Sequence, residues 1–476
     1  MVTRPSRNRH DLSTVQAAVA AGHPATVEAG IEILAEGGSA ADAAVAACLT
    51  SCVAETVMTG LLGGGHAIYH EAATRRTRNL DCFVAVPGLG AEARPVELLQ
   101  LEVPFGTELV HYAVGVASCG VPGLPAGVAA LHQEQGRLPW PRLVEPALRL
   151  ARDGVEFPPA HASCLAMLAP VMTMNEGARI YSPGGELLQA GARLEQPGLA
   201  RALELLAAEG PRSFYSGSLA DALLALMGER GGLVTRDDLS AYEARWSDPV
   251  EMRYADTRLL ARTGLAPVGD RLASLPQLQG RSPAERALTL VRALDGPDGS
   301  GDTTNLAVVD RDGNACALTT SLGLGSGDFL PGLDLHLNSM LGEADLIREP
   351  LEAGARMGSM MSPTLALDDD GLALAGGAAG GTRLRSALVQ VVAGILDEGL
   401  SPADAVARPR LHPAAGIVHL EPGFEPDVFP ALEAAGFEVR AWPELHHYFG
   451  GVSVVTRTGA AGDPRRSGAA TALPPS

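Results

Sequence analysis

The stretch TTNLAVVDRDGNACALTTSLGLGSG, residues 303–327, decides how the chain is read. Residues 303–310 are β-branched and apolar, which predicts a strand. Asp312-Gly313 is a turn signal, since glycine takes the positive φ that a tight hairpin needs, and 314–320 is the returning strand. Directly upstream, LDGPDGSGD at 294–302 is Gly, Pro and Asp with no apolar period, so it reads as a linker. If the Asp302–Thr303 bond is cut, Thr303 carries a hydroxyl nucleophile and, on the same residue, an α-amine to act as its base. The ordinary pKa of such an amine, about 7.7–8.0, suits work near neutrality. Threonine also opens strands for steric reasons alone, so the junction by itself leaves both explanations standing.

Composition narrows the chemistry further. The 476 residues include 36 basic side chains, every one of them arginine. With no lysine there is no Schiff-base lysine, no Walker A or kinase lysine and no Ser-Lys dyad. An amine base must therefore be an α-amine. The 55 acidic residues give a net charge of −19, which argues against nucleic-acid or anionic-membrane partners. Six cysteines without a C-x-x-C pair indicate buried thiols, and Cys48 and Cys52 fall on one helix face. The N-terminal MVTRPSRNRHDL lacks the apolar core of a secretory signal, and no apolar run approaches the ~20 residues of a membrane span. A cytoplasmic location is expected. Length alone is compatible with about three domains of ~150 residues or with one large layered domain.

Outward from the hairpin, residues 25–34 and 43–53 are expected as helices, the second capped by the box Ser39–Asp42. Gly63–Gly65 is expected as a turn into a short strand at 67–69, and 80–86 as another strand. Helices are expected at 137–154 and 197–208, and one capped by Thr235. A strand at 372–375 leads into the glycine run 376–381, then a helix over 382–398. Backbone N–H groups of such a run can hold an oxyanion, although glycine also serves ordinary tight turns. Arg383 and Arg385 follow it as a candidate carboxylate clamp. His446-His447 lacks the companion ligands of a metal site, and no G-x-S-x-G elbow is present. No metal and no cofactor is implied.

At Thr303 the chain resembles the start of the small subunit of γ-glutamyltransferases, which are autocatalytically cleaved N-terminal-nucleophile (Ntn) hydrolases. Further motifs follow in the family's order: GIEILAEGGSAADAAVA at 30–46, VPGLPAGVAAL at 121–131, GRLPWPRLVEPALRLARDG at 136–154, GGLVTRDDLSAY at 231–242, SMMSPTLAL at 359–367, GGAAGGTR at 376–383 and DPRRSGAA at 463–470. The resemblance implies an α+β fold, a four-layer αββα sandwich. It implies a large-subunit segment 1–302 and a small-subunit segment 303–476 that form one domain and stay associated after cleavage at Asp302–Thr303. Thr303 is then the nucleophile, Ser321 the hydroxyl that tunes it, and Gly380 with Gly381 the oxyanion hole. A small-molecule substrate is implied, with Asn338 and Ser359 among the residues that bind it.

The departures from the family pattern are as informative. Where ordinary members have an arginine that clamps the glutamyl carboxylate, this chain has Phe83. An asparagine near the nucleophile is replaced by Gly323, and Met360 replaces the second serine of a Ser-Ser pair at 359–360. The acid that holds the substrate amine is missing at 341–342, the nearest being Glu343 and Asp345. The segment 255–302 is short, and the family's helical hairpin is expected to be absent from it. Acyl-transfer machinery is kept while glutamate-reading residues are lost, which points to a changed substrate. One expectation is carbon–carbon bond hydrolysis of the kind attributed to related actinobacterial natural-product enzymes, as in making 4-alkyl-proline units, with Arg383 or Arg385 binding the substrate acid. The competing readings are a conventional γ-glutamyl hydrolase or transferase and an unprocessed binding or scaffold protein.

Overall fold

The computed structural model describes residues 17–92, 94–105, 108–265, 268–295, 303–347, 350–381, 383–414 and 416–474. The hairpin forms as expected, with strands Thr304–Val309 and Ala315–Ser321 antiparallel and Thr304 opposite Thr320. Asp310 closes its turn. One carboxylate oxygen accepts the N–H of Asp312 at 3.0 Å and of Asn314 at 2.9 Å, while Gly313 takes φ +82°.

This hairpin is the centre of a seven-stranded sheet. Across it run Ala469–Ala472, Ala18–Ala21, Thr304–Val309, Ala315–Ser321, Gly64–Glu71, Arg76–Cys82 and Arg245–Ser247, every pairing antiparallel. A second, six-stranded sheet runs Gly459–Ala461, Gly451–Thr456, Gly371–Ala379, Thr364–Asp368, Thr257–Ala261 and Val250–Tyr254. Residues from both sides of position 302 contribute strands to both sheets.

Alternation along the strand sets the layers. Ala307 and Val309 point into a core between the sheets, where they meet Leu365, Leu367, Ala375 and Val455. Leu306 and Val308 point the other way, into a core shared with helices Ala40–Ala54, Leu124–Gln135 and Trp140–Asp153. The second sheet is covered on its outer face by Val268–Ser274, Pro283–Leu294 and Arg383–Leu396. The order helix, sheet, sheet, helix is the αββα sandwich.

Several expected helices appear with shifted ends, extended as Pro24–Ala35, Ala40–Ala54 and Pro197–Glu209 and shortened as Trp140–Asp153. Capping boxes form at Ser39–Asp42 and Thr235–Asp238. Other expectations need correction. Gly64 and Gly65 lie inside a strand, because a Cβ at Gly64 would come within 2.7 Å of the Val84 nitrogen. Gly376 and Gly377 likewise belong to the strand Gly371–Ala379, where the two sheets approach closely. The strand expected over 80–86 ends at Cys82. Leu294 is not linker but the buried end of a helix, and 296–302, with the proposed cleavage residue Asp302, lies outside the described residues. The segment expected to lack a helical hairpin carries the two helices Val268–Ser274 and Pro283–Leu294.

Candidate active site

Continuing the hairpin register by one residue sets Thr303 opposite Ser321. By the same alternation the Thr303 side chain faces the second sheet. There its Oγ1 accepts the backbone N–H of Gly380 at 2.9 Å. Gly380 has φ +123°, and a Cβ on it would lie 2.8 Å from the Gly450 Cα, so the position admits glycine alone. From the Asp463–Arg466 corner, Arg466 Nη1 reaches the Thr303 carbonyl oxygen at 3.5 Å. Thr303 is buried, at 6% exposure.

Beside Thr303 opens a small cleft lined by Ser321, Gly381, Phe83, Ser359, Met360 and Met361, together with Met340, Glu343, Leu346 and Leu384. The resemblance-derived residues Thr303, Ser321, Gly381, Phe83, Ser359 and Met360 thus converge on one place. Ser321 Oγ accepts the N–H of Gly323 at 2.8 Å, which fixes the turn leaving the strand. Gly380 spends its N–H on the Thr303 hydroxyl, while Gly381 forms cleft wall.

Phe83 stacks on His66, ring centroids 5.5 Å apart. Its N–H is held by Asp81 at 2.9 Å and its carbonyl by Arg356 Nη1 at 3.0 Å. Arg262 donates to the carbonyl oxygens of Ser359 at 3.2 Å and Met361 at 2.9 Å. Burial lowers its pKa to about 10, so it stays charged at neutral pH. Burial, aided by Arg262 and Arg356, pushes the His66 pKa well below its usual range and keeps the ring neutral. Two guanidinium groups thus sit behind the cleft wall and grip its backbone; neither is in the lining. The charged side chain of the lining is Glu343, 2% exposed. A Cβ on Gly323, φ +70°, would stand 2.1 Å from Glu343 Oε1. Glycine at 323 and the inward Glu343 therefore go together.

Three expected site residues lie elsewhere. Asn338 is fully buried, with its amide donating to Leu62 and Gly120 carbonyls at 2.8 and 2.9 Å and accepting the Gly120 N–H at 2.9 Å. It ties two loops together and is not in the cleft lining. Arg383 lies over the Tyr448 ring at 4.8 Å, and Arg385 donates to the Leu294 carbonyl at 2.9 Å; neither is in the cleft lining, where the carboxylate clamp was expected. His446 and His447 pack ring on ring at 4.1 Å, and no group of metal-ligating side chains occurs among the described residues. Met340, Leu346, Met361, Arg262 and Arg466 were not picked out by sequence, whereas Glu343 was noted as the acid nearest 341–342. The DPRR motif was the available signal for Arg466.

A threonine at the head of a central strand, met by a glycine N–H from the facing sheet of an αββα sandwich, defines the architecture of Ntn hydrolases. The family model for gamma-glutamyltranspeptidase matches residues 26–265 and 277–473, and the chain belongs to that family. Curated relatives include the Acylase ACY 1 proenzyme of Pseudomonas sp. (strain V22), 28% identical over 93% of this chain and 91% of that one. The glutathione hydrolase proenzyme of Escherichia coli (strain K12) is 27% identical over 90% and 87%. Among solved structures, cephalosporin acylase from Bacillus halodurans superposes with TM-score 0.81 at 22% identity, covering 100% and 99% of the two chains. LmbA2991HD superposes with TM-score 0.77 at 21% identity, covering 98% and 100%. At such identities the structures speak for the fold. The family's members are hydrolases and transferases, and these relatives include both an acylase and a glutathione hydrolase.

Proposed function

We propose that the chain cleaves itself between Asp302 and Thr303 and then acts as an N-terminal threonine hydrolase on a non-glutamyl substrate. The observation that carries this is the cleft lining at Thr303. Phe83 stands where a carboxylate clamp is expected, flanked by Met340, Leu346, Met360 and Met361, and the lining's charged group is the acid Glu343. An α-carboxylate placed there loses a bidentate charge-assisted pair. An apolar acyl group gains burial instead.

In self-cleavage, the Thr303 Oγ adds to the carbonyl carbon of residue 302, the C–N bond breaks, and the resulting ester is hydrolysed by water to a carboxylate and the free Thr303 amine. The products are the chains 1–302 and 303–476. Strands of the two chains pair with one another in both sheets, Ala18–Ala21 with Thr304–Val309 in one and Thr257–Ala261 with Thr364–Asp368 in the other, so the two remain associated. In turnover the new amine takes the hydroxyl proton, Oγ adds to the substrate carbonyl, the leaving group departs with a proton, and water releases the acyl group. Gly380 and Gly381 are the proposed donors to the oxyanion, Gly380 turning its N–H from the Thr303 Oγ to the oxyanion as Oγ bonds to carbon.

The same sequence of steps suits a ketone. Addition of Oγ followed by carbon–carbon cleavage leaves the electron pair on a conjugated, enolate-like carbon, which takes the proton. The apolar lining suits such a substrate, and we extend the reading to hydrolysis of this kind in an antibiotic pathway such as 4-alkyl-proline formation. The test is parallel turnover of γ-glutamyl-p-nitroanilide, glutathione and a series of apolar acyl p-nitroanilides. Apolar acyl groups are expected to be released and γ-glutamyl groups not. Rapid saturable γ-glutamyl turnover would return the chain to conventional glutamyl chemistry.

A further inference from the structure

We infer that Glu55 is a positioning residue for Thr303, acting through Thr304 from the opposite side of the strand. The inference rests on the proposed reading of Thr303 as nucleophile. Alternation turns the Thr304 side chain away from the cleft, toward the helical layer. There its Oγ1 donates to Glu55 Oε2. Thr26 Oγ1 donates to the other carboxylate oxygen at 2.8 Å. Glu55 ends the helix Ala40–Ala54, its backbone N–H bonded to the Ser51 carbonyl at 2.8 Å, and it is 1% exposed.

A buried acid is costly unless its hydrogen bonds are used, and a merely space-filling contact here would be met by an apolar side chain. The packing leaves the pair no slack. A Cβ on Gly22 of the adjoining strand end would lie 2.4 Å from Glu55 Oε2 and 2.8 Å from Thr304 Oγ1. Arg466, whose charge favours the Glu55 carboxylate, also reaches the Thr303 carbonyl oxygen. Glu55, Thr304 and Arg466 line one small cavity with Asn305 and Asp463, separate in lining from the substrate cleft. Successive backbone and side-chain groups are thereby held: the Thr303 carbonyl by Arg466 and the Thr304 hydroxyl by Glu55. Both self-cleavage and turnover need the Thr303 Oγ aimed at a carbonyl carbon near 3 Å, a geometry that small displacements spoil. Glu55 touches none of the reacting atoms.

The test follows self-cleavage in the full chain on denaturing gels, so no substrate is required. The variants are Glu55→Gln, Thr304→Val, Thr304→Ser and the double Glu55→Gln/Thr304→Val, with Thr303→Ala as the uncleaved control and thermal melts to confirm folding. Glu55→Gln and Thr304→Val are each expected to slow cleavage about tenfold, the scale of one net hydrogen bond. The double variant should be no slower than the slower single, because both act through one hydrogen bond, and Thr304→Ser should restore the rate. Folded single variants that cleave within twofold of wild type, or a double variant whose defect is the product of the two, would overturn the inference. Wild-type protein that never cleaves would sink the parent reading and this one with it, whereas cleaving wild type beside a normal Glu55→Gln would sink this one alone.

Discussion

Gly380 donates its backbone N–H to the Thr303 hydroxyl across 2.9 Å, joining the head of a central strand in one sheet to the end of a strand in the other. The contact exists because both positions meet where the sheets part, and because Gly380 has room for no side chain. Gly380→Ala brings a Cβ to 2.8 Å from the Gly450 Cα at a φ of +123°. It should cost about 2 kcal/mol or more and block cleavage before Thr303. A thermal melt and a gel of the same sample check both, and a fully cleaved variant of wild-type stability would remove this contact from the mechanism.

Restoring an arginine at position 83 should not restore glutamyl chemistry. Phe83 is 1% exposed, and the guanidinium groups of Arg356 and Arg262 already grip the cleft wall around it. Phe83→Arg adds a third buried cation among them and loses the His66 stack. A destabilisation of about 3 kcal/mol or more is expected in urea melts, with γ-glutamyl-p-nitroanilide still untouched. Gain of glutamyl turnover without loss of stability would show the pocket to be glutamate-shaped after all.

Gly323 and Glu343 compete for one space. Gly323→Asn should destabilise by about 1–3 kcal/mol, because its Cβ meets Glu343 Oε1 at 2.1 Å. The φ of +70° is one that asparagine tolerates, so the cost lies in the overlap. Shortening the partner in Gly323→Asn/Glu343→Ala should recover part of the loss. Additive destabilisation in the double variant would contradict the pairing.

Burial raises the Glu55 pKa to about 7 from an ordinary 4.5, against the opposing hydrogen bonds of Thr304 and Thr26 and the charge of Arg466. The folded state thus holds a proton that the unfolded state releases. Stability contributed at low pH is lost as pH rises from about 4.5 to about 7, by roughly 3 kcal/mol. In Glu55→Gln this slope should vanish. Urea midpoints measured at intervals across that window read it directly, and parallel curves for the two proteins would place the titration elsewhere.

Much of the architecture was legible because local and long-range signals agree. The 303–321 hairpin carries its own turn chemistry at Asp310 and Gly313, and Ser39 and Thr235 announce their helices by capping. The glycine runs misled for one physical reason. At Gly64, Gly65, Gly376 and Gly377 the missing side chain serves close approach of backbone to backbone within or between sheets, which a one-dimensional pattern cannot tell from a turn. The shortness of 255–302 against the family pattern predicts the loss of a helical hairpin, yet two helices form there, the second announced by the capping box of Ser282 and Glu285. In the cleft, Phe83, Gly323 and Met360 stood out as departures from a motif. Glu343, Arg262 and Arg356 are set by tertiary packing between distant segments. Asn338 and Arg383 sit beside the site in sequence but are turned to structural duties by their own hydrogen bonds.

The central claim is that Thr303 becomes an N-terminus. Because the chain contains no lysine, its primary amines are α-amines alone. Amine-selective labelling of incubated protein, read by intact-mass spectrometry under denaturing conditions, tests the claim most directly. Two labelled chains are expected, one of them beginning at Thr303, and Thr303→Ala should give a single labelled chain. A wild-type chain that stays whole with one label, or a cut at any other bond, would contradict the account.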